Sequence, residues 1–455
     1  MGFTREFLDS IIKAYDVRGL VDKELTPEFT FALGAAFARF LEEEREPSRI
    51  VIGEDMRPSS PTLAHAFADG VTSQGMDVTR IGLASTDMLY FASGKLNLPG
   101  AMFTASHNPA AYNGVKLCKS AARPIGQESG LVRIKDLIIS GVPIANRPIG
   151  KVYEENLLDE YVNFLIGLFP ERNPTRRLKV VVDAGNGMAG YTAPAVMEKL
   201  GVDLIPMYFE LDGNFPNHEA NPIDPENLLD LQKRVRREKA DIGLAFDGDA
   251  DRCFLVDEKG ELVTPSALTA LIAVRELARK PGSKIIYNLI SSRAVPEVVR
   301  ENGGTPIRSR VGHSFIKKVM AEEGAIFGGE HSGHFYFSEF WRADSGMLAA
   351  LFALTELEAT DKSLSSLLKE FNRYVASGEI NTKVSDTQAA LAKVREHFAP
   401  DHEIDELDGV TVTGKDYWFN VRPSNTEPLL RLNIEAGSQE TIKKVEKTVK
   451  ALIKG

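Results

Sequence analysis

Over the first three quarters of the chain, short runs of consecutive apolar residues alternate with longer stretches whose apolar positions recur every three or four residues. Continuous apolar runs suit strands buried on both faces, and the amphipathic stretches suit helices laid over them, so the pattern predicts α/β units built on parallel sheets. In the first unit residues 49–53 read as a strand, 60–75 as a helix, and 77–82 and 100–104 as further strands. The second has strands at 178–183, 203–208 and 241–246. The third has strands at 284–287, 305–308 and 325–327, before an Ala/Leu-rich helix over 345–357. No period with matching residues links the three, so their likeness is one of pattern.

The pattern changes after about residue 368. Residues 410–413, 417–422 and 429–435 read as strands, and a closing helix from about Ser438 places Ile442, Val445, Val449, Leu452 and Ile453 on one face. The expected domains are therefore 1–147, 148–254, 255–367 and a smaller α+β domain at 368–455, with a hinge in the polar stretch 361–379. At about 150 residues per domain, 455 residues alone suggest about three domains, and the fourth comes from this change of pattern.

Composition narrows the partners. Asp and Glu outnumber Lys and Arg 64 to 54, a net charge of −10, and no run of five basic residues occurs. Such a chain repels nucleic acid and anionic membrane. The most apolar stretch, Met347 to Leu354, is far shorter than the roughly 20 residues that span a bilayer. Two cysteines, Cys118 and Cys253, build neither a disulfide framework nor a metal pair, so a cytoplasmic location is expected.

Four segments carry chemistry. Thr104-Ala105-Ser106-His107-Asn108-Pro109 follows a predicted strand and exposes a hydroxyl beside free backbone N–H groups, which suits a nucleophile or phosphate carrier, or else a turn held by its Ser and Asn. Asn113-Gly114-Val115-Lys116 brings a lysine near it, which alone reads as a surface residue. Asp247-Gly248-Asp249-Ala250-Asp251-Arg252 sets three carboxylates at alternate positions. Without a hard cation they would repel one another, and Mg²⁺ paired with a phosphate fits, with Arg252 touching that phosphate. An EF-hand fails because its sixth position, which needs Gly, is Arg252. Gly329-Glu330-His331-Ser332-Gly333-His334 offers donors and acceptors for sugar hydroxyls and a candidate base. Its two histidines could instead bind a transition metal, although no Cys or second His pair lies near. Arg422-Pro423-Ser424-Asn425-Thr426-Glu427-Pro428 resembles an anion-binding nest more than a plain hairpin loop. A fifth segment, Gly185-Asn186-Gly187-Met188-Ala189-Gly190, matches the dinucleotide fingerprint with Asp203 downstream, but a tight strand-to-helix turn uses the same glycines without any cofactor.

In this order, the four segments resemble those of the α-D-phosphohexomutase superfamily, specifically its phosphomannomutase/phosphoglucomutase group. The resemblance runs from Ala14-Tyr15-Asp16-Val17-Arg18-Gly19 to Arg422-Pro423-Ser424-Asn425-Thr426. It implies three related α/β domains with mixed sheets plus a smaller C-terminal α+β domain around a central cleft. It also implies reversible phosphoryl transfer between the 1- and 6-positions of a hexose phosphate, mannose or glucose, through a hexose 1,6-bisphosphate that serves as intermediate and activator. Ser106 would be carried as phosphoserine, with one Mg²⁺ between its phosphate and Asp247, Asp249 and Asp251. Glu330 and Ser332 would contact sugar hydroxyls, and Arg422, Ser424, Asn425 and Thr426 would hold the phosphate not being transferred. Tyr15, Arg18, Arg252 and His313 would line the cleft, with Arg18 among the catalytic groups. Lys116 and His334 are the proton-transfer candidates.

One departure stands out, because some relatives place a Lys before the first helix of the third domain where this chain offers only Arg293. Expected partners are small hexose phosphates, the protein itself being a monomer or homodimer. The rival within the family is a phosphoglucosamine mutase, whose sugar loop typically has Gln at His331 and whose phosphate loop has Gly at Asn425. From another class, the rival is a non-catalytic sugar-phosphate-binding protein.

Overall fold

The computed structural model describes residues 3–143, 145–423 and 429–454, leaving aside the side chains of His313, Ser314 and Lys454. The chain forms two compact units, the first of residues 1–264 and 332–366 and the second of residues 265–331 and 367–455. No helix of the described residues is long and apolar enough to cross a membrane.

The first unit holds two sheets. One runs in the order Val17–Leu20, Tyr112–Lys119, Gly100–Phe103, Arg49–Glu54, Asp77–Leu83, Val152–Glu154. Its central strands are parallel, but Tyr112–Lys119 returns antiparallel to Gly100–Phe103. The second sheet repeats this device, with Ile242–Phe246 parallel to Lys179–Asp183 and antiparallel to Cys253–Asp257. Both sheets are mixed because these two connections carry no helix, and a chain that turns straight back can only pair antiparallel. The Ser loop and the Asp loop are these two connections, each at the carboxyl end of a parallel strand, where open α/β sheets bind ligands.

The second unit holds a parallel run of Thr305–Ser309, Lys284–Asn288 and Phe327–Gly329, and an antiparallel sheet in the order Val375–Lys383, Leu429–Ala436, Tyr417–Pro423, Val410–Thr413, Glu403–Asp405. The amphipathic helix Gln439–Lys454 covers the latter, burying Ile442, Val445, Val449 and Ile453 with Phe419 and Leu432. The expected hinge stretch contains the boundary between the two units, at residues 366 and 367, and the start of strand Val375–Lys383. Arg373 pairs with Glu297 and Glu301, and the Tyr374 hydroxyl donates to Glu297 at 2.8 Å.

Within the first unit a single carboxylate joins three distant stretches. Asp87, fully buried, accepts from Tyr161 Oη at 2.7 Å, from Ser345 Oγ at 2.6 Å and from Ser85 Oγ. Ser85 and Ser345 are also the N-caps of helices Thr86–Leu96 and Gly346–Glu358, so both helix starts meet at this carboxylate. Burial pushes Asp87 up to about 6, against the hydroxyl hydrogen bonds that lower it. A folded-state value above the unfolded one contributes stability at low pH that is lost as pH rises through the folded value. Wild type should therefore gain about 2 kcal/mol relative to Asp87→Asn between pH 7 and pH 4.5. Urea unfolding of both proteins at the two pH values checks this, and parallel profiles would contradict it.

Candidate active site

Ser106 sits at the tip of the first hairpin connection with a left-handed backbone, φ 49°. Its Oγ donates to Asp247 Oδ2 at 2.8 Å, joining the Ser loop to the Asp loop. Steric contact enforces the approach. A Cβ on Gly248 would lie 2.4 Å from the Ser106 carbonyl oxygen, and one on Gly187 would lie 2.6 Å from the Gly248 carbonyl oxygen. The Met188 N–H donates to that same Gly248 carbonyl at 2.9 Å. The dinucleotide-like fingerprint thus serves as backing for the Asp loop, its glycines admitting backbone where a side chain would collide.

Asp247, Asp249 and Asp251 are all essentially buried, and one oxygen from each lies within 4.8 Å of the others. Two cations answer them from the protein. Lys116 reaches Asp249 at 2.7 Å and Asp251 at 2.6 Å, and Arg252 Nε reaches Asp247 at 2.7 Å. Burial works against the Lys116 charge, but the Asp249 and Asp251 carboxylates outweigh it and hold the ammonium well above its ordinary value. Burial likewise raises Asp249, and Lys116 reverses this to leave it below the usual carboxylate range. Asp251 is pushed above the usual carboxylate range by burial and then by the charge of Asp249.

Three carboxylates against two cations leave an excess negative charge. The Oδ1 atoms of Asp249 and Asp251 are also buried and accept no hydrogen bond. Such orphaned anionic oxygens fit a hard divalent cation, which takes oxygen ligands and supplies the missing charge.

His334 lies in the first unit too. Its Nδ1 is 3.0 Å from Asp344 Oδ2 and 3.8 Å from Asp251 Oδ1. Burial alone would lower the imidazole, but Asp251 and Asp344 raise it above its ordinary value. An imidazole oriented by a carboxylate is equipped to take and return a proton. His331 belongs to neither of the two candidate ion-binding clusters among the described residues. Arg18 donates to Asp16 and to Asn108 of the Ser loop, each at 2.6 Å, while Tyr15 is 37% exposed and Ser332 half-buried.

In the second unit Glu330 is buried at the carboxyl end of Phe327–Gly329 and accepts from the Gly312 N–H at 3.1 Å. Gly312 is the N-cap of helix His313–Glu323. The His313 side chain lies outside the described residues, as do Ser424, Asn425 and Thr426. Arg422 donates to Asn433 at 2.9 Å and Glu379 at 2.8 Å, and its burial lowers it from its ordinary value. Arg293, at the position of the expected Lys, lies 3.9 Å over the Tyr374 ring with its Nε 3.8 Å from Glu435.

Four residues of the site escaped sequence reading. His107 Nδ1 lies 3.2 Å from Ser106 Oγ and meets Arg252 Nη2. Since a guanidinium only donates, Nδ1 is the acceptor and the ring proton sits on Nε2. Burial, then the Arg252 charge, pushes His107 down to about 2, so the ring is neutral. Thr86 fixes Asp249 twice, its hydroxyl donating to Oδ2 at 2.5 Å and its N–H to the carbonyl at 2.9 Å. Asp344 orients His334, and Arg57 underlies the Ser loop. His107 was visible beside Ser106 in the sequence; the other three had no local signal.

Comparison with known proteins places these features. The phosphoglucomutase/phosphomannomutase family models for α/β/α domains I, II and III match residues 9–140, 159–260 and 264–374, and that for the C-terminal domain matches residues 379–452. The chain is 41% identical over 434 residues to the phosphomannomutase of Escherichia coli strain K12, covering 93% of this chain and 94% of that one. It is 39% identical over 426 residues to a Xanthomonas campestris protein named for phosphohexose mutases, covering 93% and 94%. The crystal structure of a phosphoglucomutase/phosphomannomutase family protein from Burkholderia thailandensis matches at a TM-score of 0.89 and 32% identity, covering 97% of this chain and 96% of that one.

The orphaned oxygens generate a direct test. Manganese binding, followed by electron paramagnetic resonance, should weaken at least about tenfold in Asp249→Asn, since removing one ligand charge from a hard-cation site costs at least ~1.4 kcal/mol. Equal affinity in wild type and variant would show that the cation binds elsewhere.

Proposed function

Because the chain belongs to the phosphoglucomutase/phosphomannomutase family and is an intramolecular phosphotransferase of hexose phosphates, we propose that it exchanges phosphate between the 1- and 6-positions of mannose and glucose phosphates. In this reading the transfer runs through phosphoserine at Ser106 and a hexose 1,6-bisphosphate. The observation that carries it is the Ser106 hydroxyl 2.8 Å from Asp247, within a cluster whose remaining carboxylates are bridged by Lys116. A hydroxyl placed against a metal-type carboxylate set suits phosphoryl transfer, where positioning and charge stabilisation do most of the work.

Asp247, Asp249 and Asp251 would hold Mg²⁺. When bound, Mg²⁺ withdraws charge from the transferring phosphoryl group. Lys116, kept protonated by its two carboxylates, and Arg252 neutralise the phosphoryl oxygens from the protein side. In the transfer, the bond from Ser106 Oγ to phosphorus breaks and Oγ takes a proton from Lys116, while a bond from the sugar hydroxyl oxygen to phosphorus forms and the hydroxyl proton passes to His334, held by Asp344. After the bisphosphate turns end for end, Ser106 gives its proton back to Lys116 as it takes the other phosphoryl group, and His334 returns its proton to the sugar oxygen.

We assign Glu330 and Ser332 to the sugar hydroxyls, and Arg422, with Ser424, Asn425 and Thr426, to the phosphate that stays. Tyr15, Arg18 and His313 are assigned to substrate contact. Neither Cys118 nor Cys253 forms a disulfide, which supports a reducing, cytoplasmic setting.

Turnover of mannose, glucose and glucosamine 1-phosphates, measured with Mg²⁺ and a trace of the matching bisphosphate, is expected to favour the first two. A preference for the amino sugar would replace this reading by a phosphoglucosamine mutase. Ser106→Ala should lose nearly all turnover, at least about 10³-fold, while still binding sugar phosphate by calorimetry. Binding without turnover in wild type would favour the non-catalytic alternative.

A further inference from the structure

We propose that Arg57 is a positioning residue for the transfer step, holding the backbone of the Ser106 loop so that the hydroxyl keeps its aim while the phosphoryl group leaves and returns. This rests on the reading of Ser106 as the phosphoryl carrier.

The Arg57 side chain is completely buried. Its Nη2 donates to the carbonyls of Ser106 at 2.9 Å and Asn108 at 2.6 Å. Its Nη1 donates to those of Pro109 at 3.0 Å and Tyr112 at 2.9 Å. One planar group therefore gathers four carbonyls that span the whole connection between Gly100–Phe103 and Tyr112–Lys119. The other edge of the guanidinium faces a buried carboxylate. Nε lies 3.2 Å from Asp55 Oδ2, and Asp55 Oδ1 accepts from the Arg57 N–H at 3.0 Å and Ser60 Oγ at 2.6 Å. The Asp55 N–H in turn donates to the Phe103 carbonyl at 2.9 Å, so the clamp is anchored to the strand that enters the loop. The Phe215 ring packs against the guanidinium, 5.0 Å from its centroid.

Two features separate this from ordinary loop packing. The first is strain. Ser106 has φ 49°, a conformation that costs an L-residue about 1 kcal/mol and persists where the surroundings over-determine it. The second is direction. Arg57 grips the Ser106 carbonyl, while the Ser106 hydroxyl faces Asp247 and Arg252, so the clamp holds the nucleophile without touching the reacting atoms. During turnover the Ser106–Asp247 hydrogen bond is replaced each time the hydroxyl is phosphorylated. Contacts that do not use the reacting hydroxyl must then hold the loop, and the Arg57 clamp supplies four of them. Lysine cannot substitute, since its three donors radiate from a single point and cannot span carbonyls from residue 106 to residue 112.

The test uses the full chain with Arg57→Lys, Arg57→Ala and Ser106→Ala. Misplacing a nucleophile by an ångström costs on the order of 10²-fold, so Arg57→Lys should lose about 10²-fold in kcat with KM within about twofold of wild type. Millimolar guanidinium ion should restore about tenfold of the kcat lost in Arg57→Ala and leave wild type unchanged. A merely structural role would not respond to guanidinium in a folded variant. If Arg57→Ala does not fold, the kcat and KM of Arg57→Lys decide alone. If neither folds, Asp55→Asn, which keeps the four carbonyl donors but frees the Nε edge, should show a smaller kcat loss at unchanged KM. Wild-type kcat in the folded variant that decides, or a loss confined to KM, overturns the clamp. Ser106→Ala separates the two failures. Turnover retained there refutes the phosphoserine reading, whereas an inactive Ser106→Ala beside a fully active Arg57→Lys refutes the clamp alone.

Discussion

Three carboxylates buried within a few ångströms of one another set the terms for the rest of the site. Asp247, Asp249 and Asp251 could not share that volume as bare anions, because each is removed from water and faces the other two at low effective dielectric. Arg252 comes from the same loop, but Lys116 must come from a strand about 130 residues earlier in the chain. The hairpin return of Tyr112–Lys119 exists in that geometry to carry it there. Even so the Oδ1 atoms of Asp249 and Asp251 accept no hydrogen bond, and those oxygens fit a divalent cation.

The same constraint explains how an acidic chain handles anionic sugars. Its net charge is −10, while Lys116 and Arg252 sit against the Asp loop and Arg18 against the Ser loop. Screening in salt confines surface charge to about 10 Å, so a few buried cations outweigh a distant excess of carboxylates. Two glycine-dependent contacts, Gly187 on Gly248 and Gly248 on Ser106, then bring the Asp loop close enough for the hydroxyl to meet Asp247. The site is assembled by stacking three backbone turns.

Much of this was legible beforehand. The three Asp residues stood out because carboxylates at alternate positions after an apolar run repel one another without a cation, whereas Ser106 also suited a plain turn and Lys116 alone read as a surface residue. Strand positions such as 49–53 and 241–246 followed from unbroken apolar runs, and Arg49–Glu54 and Ile242–Phe246 occupy them. The antiparallel strands Tyr112–Lys119 and Cys253–Asp257 were less legible, since their direction depends on how the preceding loop turns. Within the expected hinge stretch 361–379, the pairing of Arg373 with Glu297 and Glu301, and of Tyr374 with Glu297, had no local signal.

By itself the sequence determined which segments carry reactive groups and that each sits at a strand end, because apolar periodicity and turn chemistry are local properties. Only the tertiary structure decided what those groups touch. Thr86 fixing Asp249, Asp344 orienting His334, Asp87 joining two helix starts, and Arg57 clamping four carbonyls are all contacts between residues far apart in the chain. A buried Arg and a surface Arg are written with the same letter. Their difference is created when burial removes water and leaves each polar atom to find its partner within the fold.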